Sequence, residues 1–226
     1  MAIAEFASQQ SIRIPPTAHS LVGFRRWAKS PAFPERGHIC FIAGEILIDM
    51  SPEELETHNQ VKGEIDGTLR ALAKKHDLGR FYSDRALVTN VEADLSTEPD
   101  GTFVAWESLE SGQVRQVPRR GVVGQYMEIK GSPDMVLEVV SASSVRKDTL
   151  VLKNAYHRAG VREYWLVDAR AKDLRFRMFT YQSSGYVAVP CRGGWLLSEV
   201  FDCRFRLKRH RDRMNFWTYT LEMRPK

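Results

Sequence analysis

Cysteine is scarce in this chain, and its scarcity narrows the possible chemistry. The 226 residues include three cysteines, Cys40, Cys191 and Cys203, which lie far apart and form no CxxC pair. An odd number of dispersed thiols argues against a disulfide framework and a zinc site, and indicates a reducing, intracellular setting. A Cys–His nucleophile stays open, although no signature surrounds any of the three cysteines.

Long apolar runs and common phosphate-binding or hydrolase motifs are also missing. No stretch has membrane-spanning length and the first residues lack the basic region of a signal peptide, so we expect a soluble, cytoplasmic protein without membrane contacts. The sequence contains no GxSxG, GxxxxGK[ST] or strand-linked GxGxxG motif. Neither charge sign dominates: 33 basic and 28 acidic side chains give a net charge of +5. This balance favours polyanionic partners only slightly.

The chain has enough hydrophobic residues, 43%, for one substantial core. Prolines at 15, 16, 31 and 34 bracket a possible short helix, and we expect residues 1–36 to form an N-terminal arm that packs on the domain through Phe24 and Trp27. Residues 37–226 are then the main α/β domain.

Residues 134–168 predict a strand, a helix and a second strand. The first strand is apolar from 135 to 140 except for Glu138, so it has the pattern of a central strand buried on both faces. A strand–helix–strand unit of this length is typical of a parallel crossover. Asp134 and Glu138 have the same parity and project from one face of the strand. A buried carboxylate there needs a cation, a lysine or a metal.

An earlier helix is predicted to begin near Ser51, with Pro52 in its first turn and Glu54 closing a capping box. His58 lies one turn later on the apolar stripe. It is either a hydrogen-bonded core histidine or part of a site.

Carboxylates at strand ends and a lysine on the adjoining helix suggest one chemistry. Asp100, Asp134 and Glu138 offer hard oxygen ligands, which favour Mg²⁺ or Mn²⁺. Such an ion with the ammonium of Lys153 supports phosphodiester hydrolysis. Lys153 alternatively pairs with Glu138 and no metal is needed.

Several segments together resemble the Uma family of restriction-endonuclease-like proteins, within the PD-(D/E)xK nuclease superfamily. The resemblance covers about residues 38–207 and rests on Pro99-Asp100, GSPDMVLEVVSASS at 131–144, Asp148 with Lys153 and Tyr156, and AGVREYWLVD at 159–168. It implies a restriction-endonuclease-like α/β fold, with a mixed central sheet flanked by helices; antiparallel strands are predicted to follow at the C-terminus.

The resemblance also implies roles for single residues. Asp100 matches the first acid of the motif and Glu138 the second, and together they hold a Mg²⁺ or Mn²⁺ ion. Val140 stands where the superfamily lysine normally lies, and Lys153 on the next helix fits the migrated lysine. Asp134 is either an auxiliary ligand or a cap at the start of the strand, and Glu54 and His58 are auxiliary candidates from the first predicted site helix. The implied activity is endonucleolytic cleavage, with double-stranded DNA as substrate and a homodimer as the acting form.

Two alternatives to this enzyme stay open. One is a catalytically inactive nuclease-fold protein that binds nucleic acid or a protein partner, and the other is a hydrolase of smaller phosphoesters. Outside the resemblance, arginines and lysines cluster at 204–213, and they form either a solvated sheet edge or a polyanion-binding patch.

Overall fold

A computed structural model describes residues 12–226, so the first eleven residues of the predicted arm lie outside the described part. The strands are β1 (His38–Ile42), β2 (Glu45–Asp49), β3 (Gly79–Ser83), β4 (Val88–Asn90), β5 (Leu95–Thr97), β6 (Gly101–Ala105), β7 (Val114–Pro118), β8 (Tyr126–Gly131), β9 (Met135–Val139), β10 (Glu163–Asp168), β11 (Arg175–Gln182), β12 (Gly185–Ala188), β13 (Leu196–Ser198), β14 (Cys203–Arg211) and β15 (Trp217–Pro225). The helices are α1 (Leu21–Ala28), α2 (Gln60–Lys75), α3 (Trp106–Glu110) and α4 (Lys153–Arg158), with a 3₁₀ turn at Pro16–His19 and π-helical turns at Leu55–Asn59 and Lys147–Leu152 that lead into α2 and α4.

The central sheet is mixed, as predicted, and runs in the order β12-β11-β10-β9-β6-β3. β9 and β10 are parallel and the π turn and α4 lie between them in sequence, which confirms the predicted crossover unit. The other neighbours in the sheet are antiparallel. The result is an α/β fold with β9 at its centre.

The side chains of β9 alternate between two cores. Met135, Leu137 and Val139 pack in a cluster that includes α2 and the strands β14 and β15. Val136 packs with residues of α4 and of the second sheet, β2-β1-β5-β4-β8-β7. Glu138 has the parity of Val136, so its carboxylate points towards the α4 side.

The C-terminal strands are antiparallel, as predicted. β11 and β12 extend the central sheet, whereas β13, β14 and β15 form a separate three-stranded sheet. Phe205 and Leu207 on β14, with Leu221 on β15, bury their side chains against the main core. The basic residues of this region therefore lie on strands that are anchored to the domain.

The first long helix begins later than the sequence pattern indicated. Ser51 is exposed, and its N–H donates to Asp49 Oδ1 instead of opening a helix. Glu54 is itself the N-cap, because its carboxylate accepts the backbone N–H groups of Glu56 and Thr57. The predicted capping box was wrong: an acid at the cap satisfies the first N–H groups more strongly than a hydroxyl three residues before it.

The segment before β1 contacts the second sheet. The Phe24 ring lies 5.6 Å from that of Phe41, and Trp27 is buried beside it. Arg25 and Lys29 both reach the buried carboxylate of Glu128 on β8, at 2.6 Å and 2.5 Å. Among residues 12–226, no helix is both long and apolar enough to span a bilayer.

Candidate functional site

Asp100 and Glu138 face each other across the strand pair β6–β9. The antiparallel register matches Gly101 with Leu137, so its continuation by one residue sets Asp100 opposite Glu138. Opposed residues of an antiparallel pair project from the same face. Asp100 Oδ2 also accepts a 2.7 Å hydrogen bond from the Val139 N–H, which fixes this carboxylate at the end of β9. The sequence-predicted pair of acids is therefore brought together.

Glu138 is a buried acid with one direct hydrogen-bond donor. The Tyr156 hydroxyl donates to Glu138 Oε1 at 2.6 Å from the facing helix α4. Burial raises the pKa of Glu138 well above its usual value, and the nearby acids Asp148 and Asp100 raise it further, whereas Lys147 lowers it. This carboxyl gains most from an additional positive charge, because burial and like charges both oppose its ionisation.

Both acids open into one cavity of about 190 Å³, which has room for about six water molecules at roughly 30 Å³ each. A partly hydrated cation and a phosphate group fit this space, and the cross-section of a duplex does not. Seven carboxylates line the cavity, against a single lysine and two histidines: Asp49, Glu53, Glu54, Glu98, Asp100, Glu138 and Asp148, with Lys147, His38 and His58. Negative charge is therefore in excess.

One of these acids, Glu98, has a buried carboxylate oxygen, Oε2, without a hydrogen-bond donor in the described part of the chain, whereas Asp148 Oδ1 faces the Lys147 ammonium at 3.3 Å. Burial raises the pKa of Glu98 to about 7, with Asp84 adding to the rise and Arg85 opposing it. Burial also raises the pKa of Asp148 to about 6, although Lys147 and the Ser144 hydroxyl favour its charged form. Oxygen atoms that are buried and lack donors are suited to a cation that prefers hard ligands.

Comparison with known proteins gives the chain a family. A family model described as "Uma2: Putative restriction endonuclease" matches residues 22–208. The chain belongs to the Uma2 family. No curated protein matches. A solved structure described as a putative nuclease of the DUF820 group, from Anabaena variabilis, is similar with a TM-score of 0.57 and 17% identity, over 80% of this chain and 90% of that one. At this identity the likeness concerns the fold.

The lysine that lines the cavity of this Uma2-family protein is Lys147. Its Nζ lies 3.3 Å from Asp148 Oδ1, on the π-helical turn before α4. Burial works against the ammonium, but Glu138 and Asp148 outweigh it and raise the pKa of Lys147 above its usual value. Sequence reasoning missed this residue, although its position beside Asp148, in a motif already selected, was a usable signal.

Lys153, the lysine that the resemblance selected, does not line the cavity. Its Nζ lies 3.8 Å from the centroid of the Phe179 ring on β11. Burial lowers the pKa of Lys153, and Arg177 lowers it further. The Lys153 ammonium is therefore held by the face of the Phe179 ring and repelled by Arg177, and it contacts none of the acids that line the cavity.

Asp134 lies at the opposite end of β9 and takes no part in the cavity. Its Oδ2 accepts the Ala105 N–H at 2.8 Å, and its Oδ1 accepts the Ser108 hydroxyl at 3.0 Å and the Arg162 guanidinium at 3.1 Å. Asp134 and Glu138 are four residue steps apart along the strand, about 13 Å at the usual rise per residue. Same parity put both acids on one face, but length along the strand separates them.

The two auxiliary candidates from the first helix do reach the cavity. Glu54 lies at its rim as the helix cap, with its carboxylate oxygens turned to backbone N–H groups. His58 is buried, with Nε2 3.7 Å from Asp100 Oδ2 and Nδ1 3.8 Å from Glu53 Oε2. Of the two, His58 is the one that faces a carboxylate of the main pair.

A second acidic cluster shares His38 and Glu53 with the cavity lining and already contains a cation. Ligand atoms of His38, Glu53 and Asp84 lie within 4.8 Å of one another, the one such group of three among residues 12–226. The ammonium of the buried Lys62 contacts Glu53 Oε1, lies 2.9 Å from Asp84 Oδ2 and approaches Asp100 Oδ1 at 3.8 Å. We therefore assign the unmet demand for positive charge to the Glu138 side. Lys62 and Glu53 were missed by sequence reasoning, although Lys62 follows His58 by one helical turn.

Proposed function

We propose that the protein is a metal-dependent endonuclease that hydrolyses phosphodiester bonds of nucleic acid, with DNA as substrate. The observation that carries the proposal is the opposition of Asp100 and Glu138 in a cavity with excess negative charge. Asp100 and Glu138 would hold the ion, with two further candidate oxygens: Glu98 Oε2, which has no hydrogen-bond donor in the described part of the chain, and Asp148 Oδ1, which faces the Lys147 ammonium. These donors fit Mg²⁺ or Mn²⁺. A bound divalent ion activates water and polarises the phosphoryl group.

The remaining residues position groups and stabilise charge. The Val139 N–H and the Tyr156 hydroxyl fix the orientation of the two acids, at 2.7 Å and 2.6 Å. The Lys147 ammonium stabilises the negative charge that develops on the phosphoryl oxygens. Hydrolysis consumes one water: its oxygen bonds to phosphorus, the bond to one sugar oxygen breaks, and a proton leaves on that oxygen.

Cleavage of plasmid and single-stranded substrates with Mg²⁺, Mn²⁺ or EDTA tests the proposal. Asp100→Asn and Glu138→Gln keep the shape of each side chain and remove its charge, so we expect cleavage to fall at least a hundredfold in each variant. Glu128→Gln is the matched control, because Glu128 is equally buried but lies on β8 with Arg25 and Lys29, and does not line the cavity. Unchanged cleavage in Glu138→Gln, or cleavage that persists in EDTA, would refute the assignment.

One observation favours a second candidate, a nuclease-fold protein that binds nucleic acid without cleaving it. Lys147 already supplies one positive charge to Glu138 and Asp148, so an ion is not the only means of compensation. Binding without cleavage under every metal condition would support this candidate. The expectation of a homodimer, with one site for each strand of a duplex, stays a prediction.

A further inference from the structure

The C-terminal ribbon, defined as β14, β15 and the turn at 212–216, has a strongly basic composition. It contains seven basic and two acidic side chains: Arg204, Arg206, Lys208, Arg209, Arg211, Arg213 and Arg224, with Asp212 and Glu222. The family match ends at residue 208. The turn at 212–216, which is the tip of the ribbon, therefore lies beyond the part that the family model describes.

The base of the tip is fixed next to the cavity. The Trp217 N–H donates to Glu56 Oε2 at 3.1 Å, and the Leu221 N–H donates to Glu64 Oε1 at 2.8 Å. Glu56 lies in the π-helical turn whose cap, Glu54, forms part of the cavity rim. A nucleic acid that enters the cavity with its backbone is therefore close to the ribbon.

The arginines near the tip are held in place by an aromatic ring. The Arg209 and Arg211 guanidinium carbons lie 4.1 Å and 3.3 Å from the centroid of the Trp217 ring. Arg209 also donates to the carbonyl of Ala169 at 2.8 Å, so it serves mainly to anchor the ribbon. Stacked guanidinium groups lose less conformational freedom on binding a phosphate than mobile ones.

The turn is closed by side-chain hydrogen bonds and presents two large apolar side chains to solvent. Asp212 Oδ1 accepts the N–H groups of Met214 and Phe216 at 2.8 Å and 2.9 Å, and Asn215 adopts the left-handed conformation with φ of 63°. Met214 is 66% exposed and Phe216 54% exposed. Arg213, which directly precedes Met214 in the turn, is also exposed.

We propose that this tip binds duplex DNA next to the cavity, with Arg213 on a backbone phosphate and Met214 and Phe216 against the groove. A two-stranded ribbon fits the major groove, where apolar side chains such as Phe can contact the methyl group of thymine. The cavity is lined mainly by carboxyl groups, which repel phosphate. Attraction for the DNA backbone therefore has to come from basic residues around the cavity, such as those of the ribbon. The inference rests on the proposed function, whose substrate it specifies as duplex DNA and whose binding element it names.

Binding of a fluorescently labelled duplex to the full chain, followed by anisotropy in EDTA across a salt series, tests the tip without any cleavage. Loss of one phosphate contact lowers the slope of log K against log salt by about 0.9, so Arg213→Ala should show that change and about tenfold weaker binding. Phe216→Ala should weaken binding about tenfold as well. Arg120→Ala and Val123→Ala remove an equal charge and a similar exposed apolar group elsewhere, and should change affinity less than twofold.

Three results overturn the inference: no binding of the duplex by the wild type, equal effects of the tip variants and their controls, or tighter binding of a single strand than of the duplex. The tip residues are exposed, so thermal unfolding should be unchanged and separates binding defects from misfolding. Tip-dependent binding without metal-dependent cleavage would support the ribbon and refute the proposed function. Metal-dependent cleavage without any effect of the tip variants on binding would support the proposed function and refute the role of the ribbon.

Discussion

Replacing Glu98 with glutamine should stabilise the protein at neutral and alkaline pH. Glu98 Oε2 is buried and has no hydrogen-bond donor among residues 12–226. Burial is the largest cause that raises the pKa of this carboxyl, from its usual 4.5 to about 7. A carboxylate retained at such a position costs stability, which suggests that it is kept for another purpose, such as ion binding.

The size of the effect follows from the two pKa values. Between pH 4.5 and 7 the folded protein holds a proton on Glu98 that the unfolded chain has lost, so stability falls as pH rises through this window. Each pH unit between the two values is worth about 1.4 kcal/mol, so the ionised acid costs roughly 3 kcal/mol above pH 7. Glutamine has nearly the same shape and no charge to lose.

Urea unfolding at pH 4, 5, 6, 7 and 8, in EDTA, measures this difference. We expect Glu98→Gln and the wild type to converge at about pH 4 apart from a constant offset, and the advantage of the variant to grow by about 3 kcal/mol towards pH 8. Asp148, whose pKa is also raised, titrates in both proteins and cancels in the difference. A difference that stays constant from pH 4 to pH 8 would show that Glu98 ionises normally, and the account of unmet charge in the cavity would lose its main support.

Two further predictions concern the lysines and the tyrosine of the site. Lys147→Ala should lower metal-dependent cleavage by about a hundredfold, whereas Lys153→Ala should lower it less than threefold, because only Lys147 of these two lines the cavity. Steady-state cleavage rates measure both effects, and a larger loss in Lys153→Ala than in Lys147→Ala would favour the lysine that the resemblance selected. Tyr156→Phe removes the 2.6 Å hydrogen bond to Glu138 and should raise the apparent dissociation constant for Mn²⁺ by about tenfold, a change of the size expected for a hydrogen bond to a charged group. Calorimetric titration measures this constant, and an unchanged affinity would mean that Tyr156 does not hold Glu138 in position.

The centre of the fold could be predicted from sequence because it follows short-range rules. Residues 135–140 are apolar except for Glu138 and are bounded by turns, and the helix after them shows a clear stripe that includes Leu152 and Tyr156, so the pattern predicts a parallel crossover. The start of α2 was predicted less well, since Ser51, Pro52 and Glu54 fit a capping box by spacing alone. Only the three-dimensional contacts show that the Glu54 carboxylate itself accepts the first N–H groups.

For the site, the sequence located the acids better than the cations. The proximity of Asp100 and Glu138 depends on strand register, which a family resemblance captures even when the strands are far apart in sequence. Asp134 was placed correctly at the start of the strand, but parity carries no information about distance along a strand and so did not show that Asp134 lies far from Glu138. Lys62 has only a weak signal in the sequence, its position one helical turn after His58, because a lysine beside an apolar stripe normally extends into solvent.

The choice between Lys147 and Lys153 depends on a local feature of the helices. Both helices that contribute to the cavity begin with a π-helical turn, at Leu55–Asn59 and at Lys147–Leu152. A π turn contains more residues than an α turn, so side chains before it are rotated relative to the stripe that follows. A period of 3.6 residues carried back from that stripe therefore does not give the direction of the Lys147 side chain. π-Helical turns are rare and often lie at functional sites, and here both place charged side chains, Lys147, Asp148 and His58, in the lining of the acidic cavity. The two π turns therefore set the direction of charged side chains that line the candidate site.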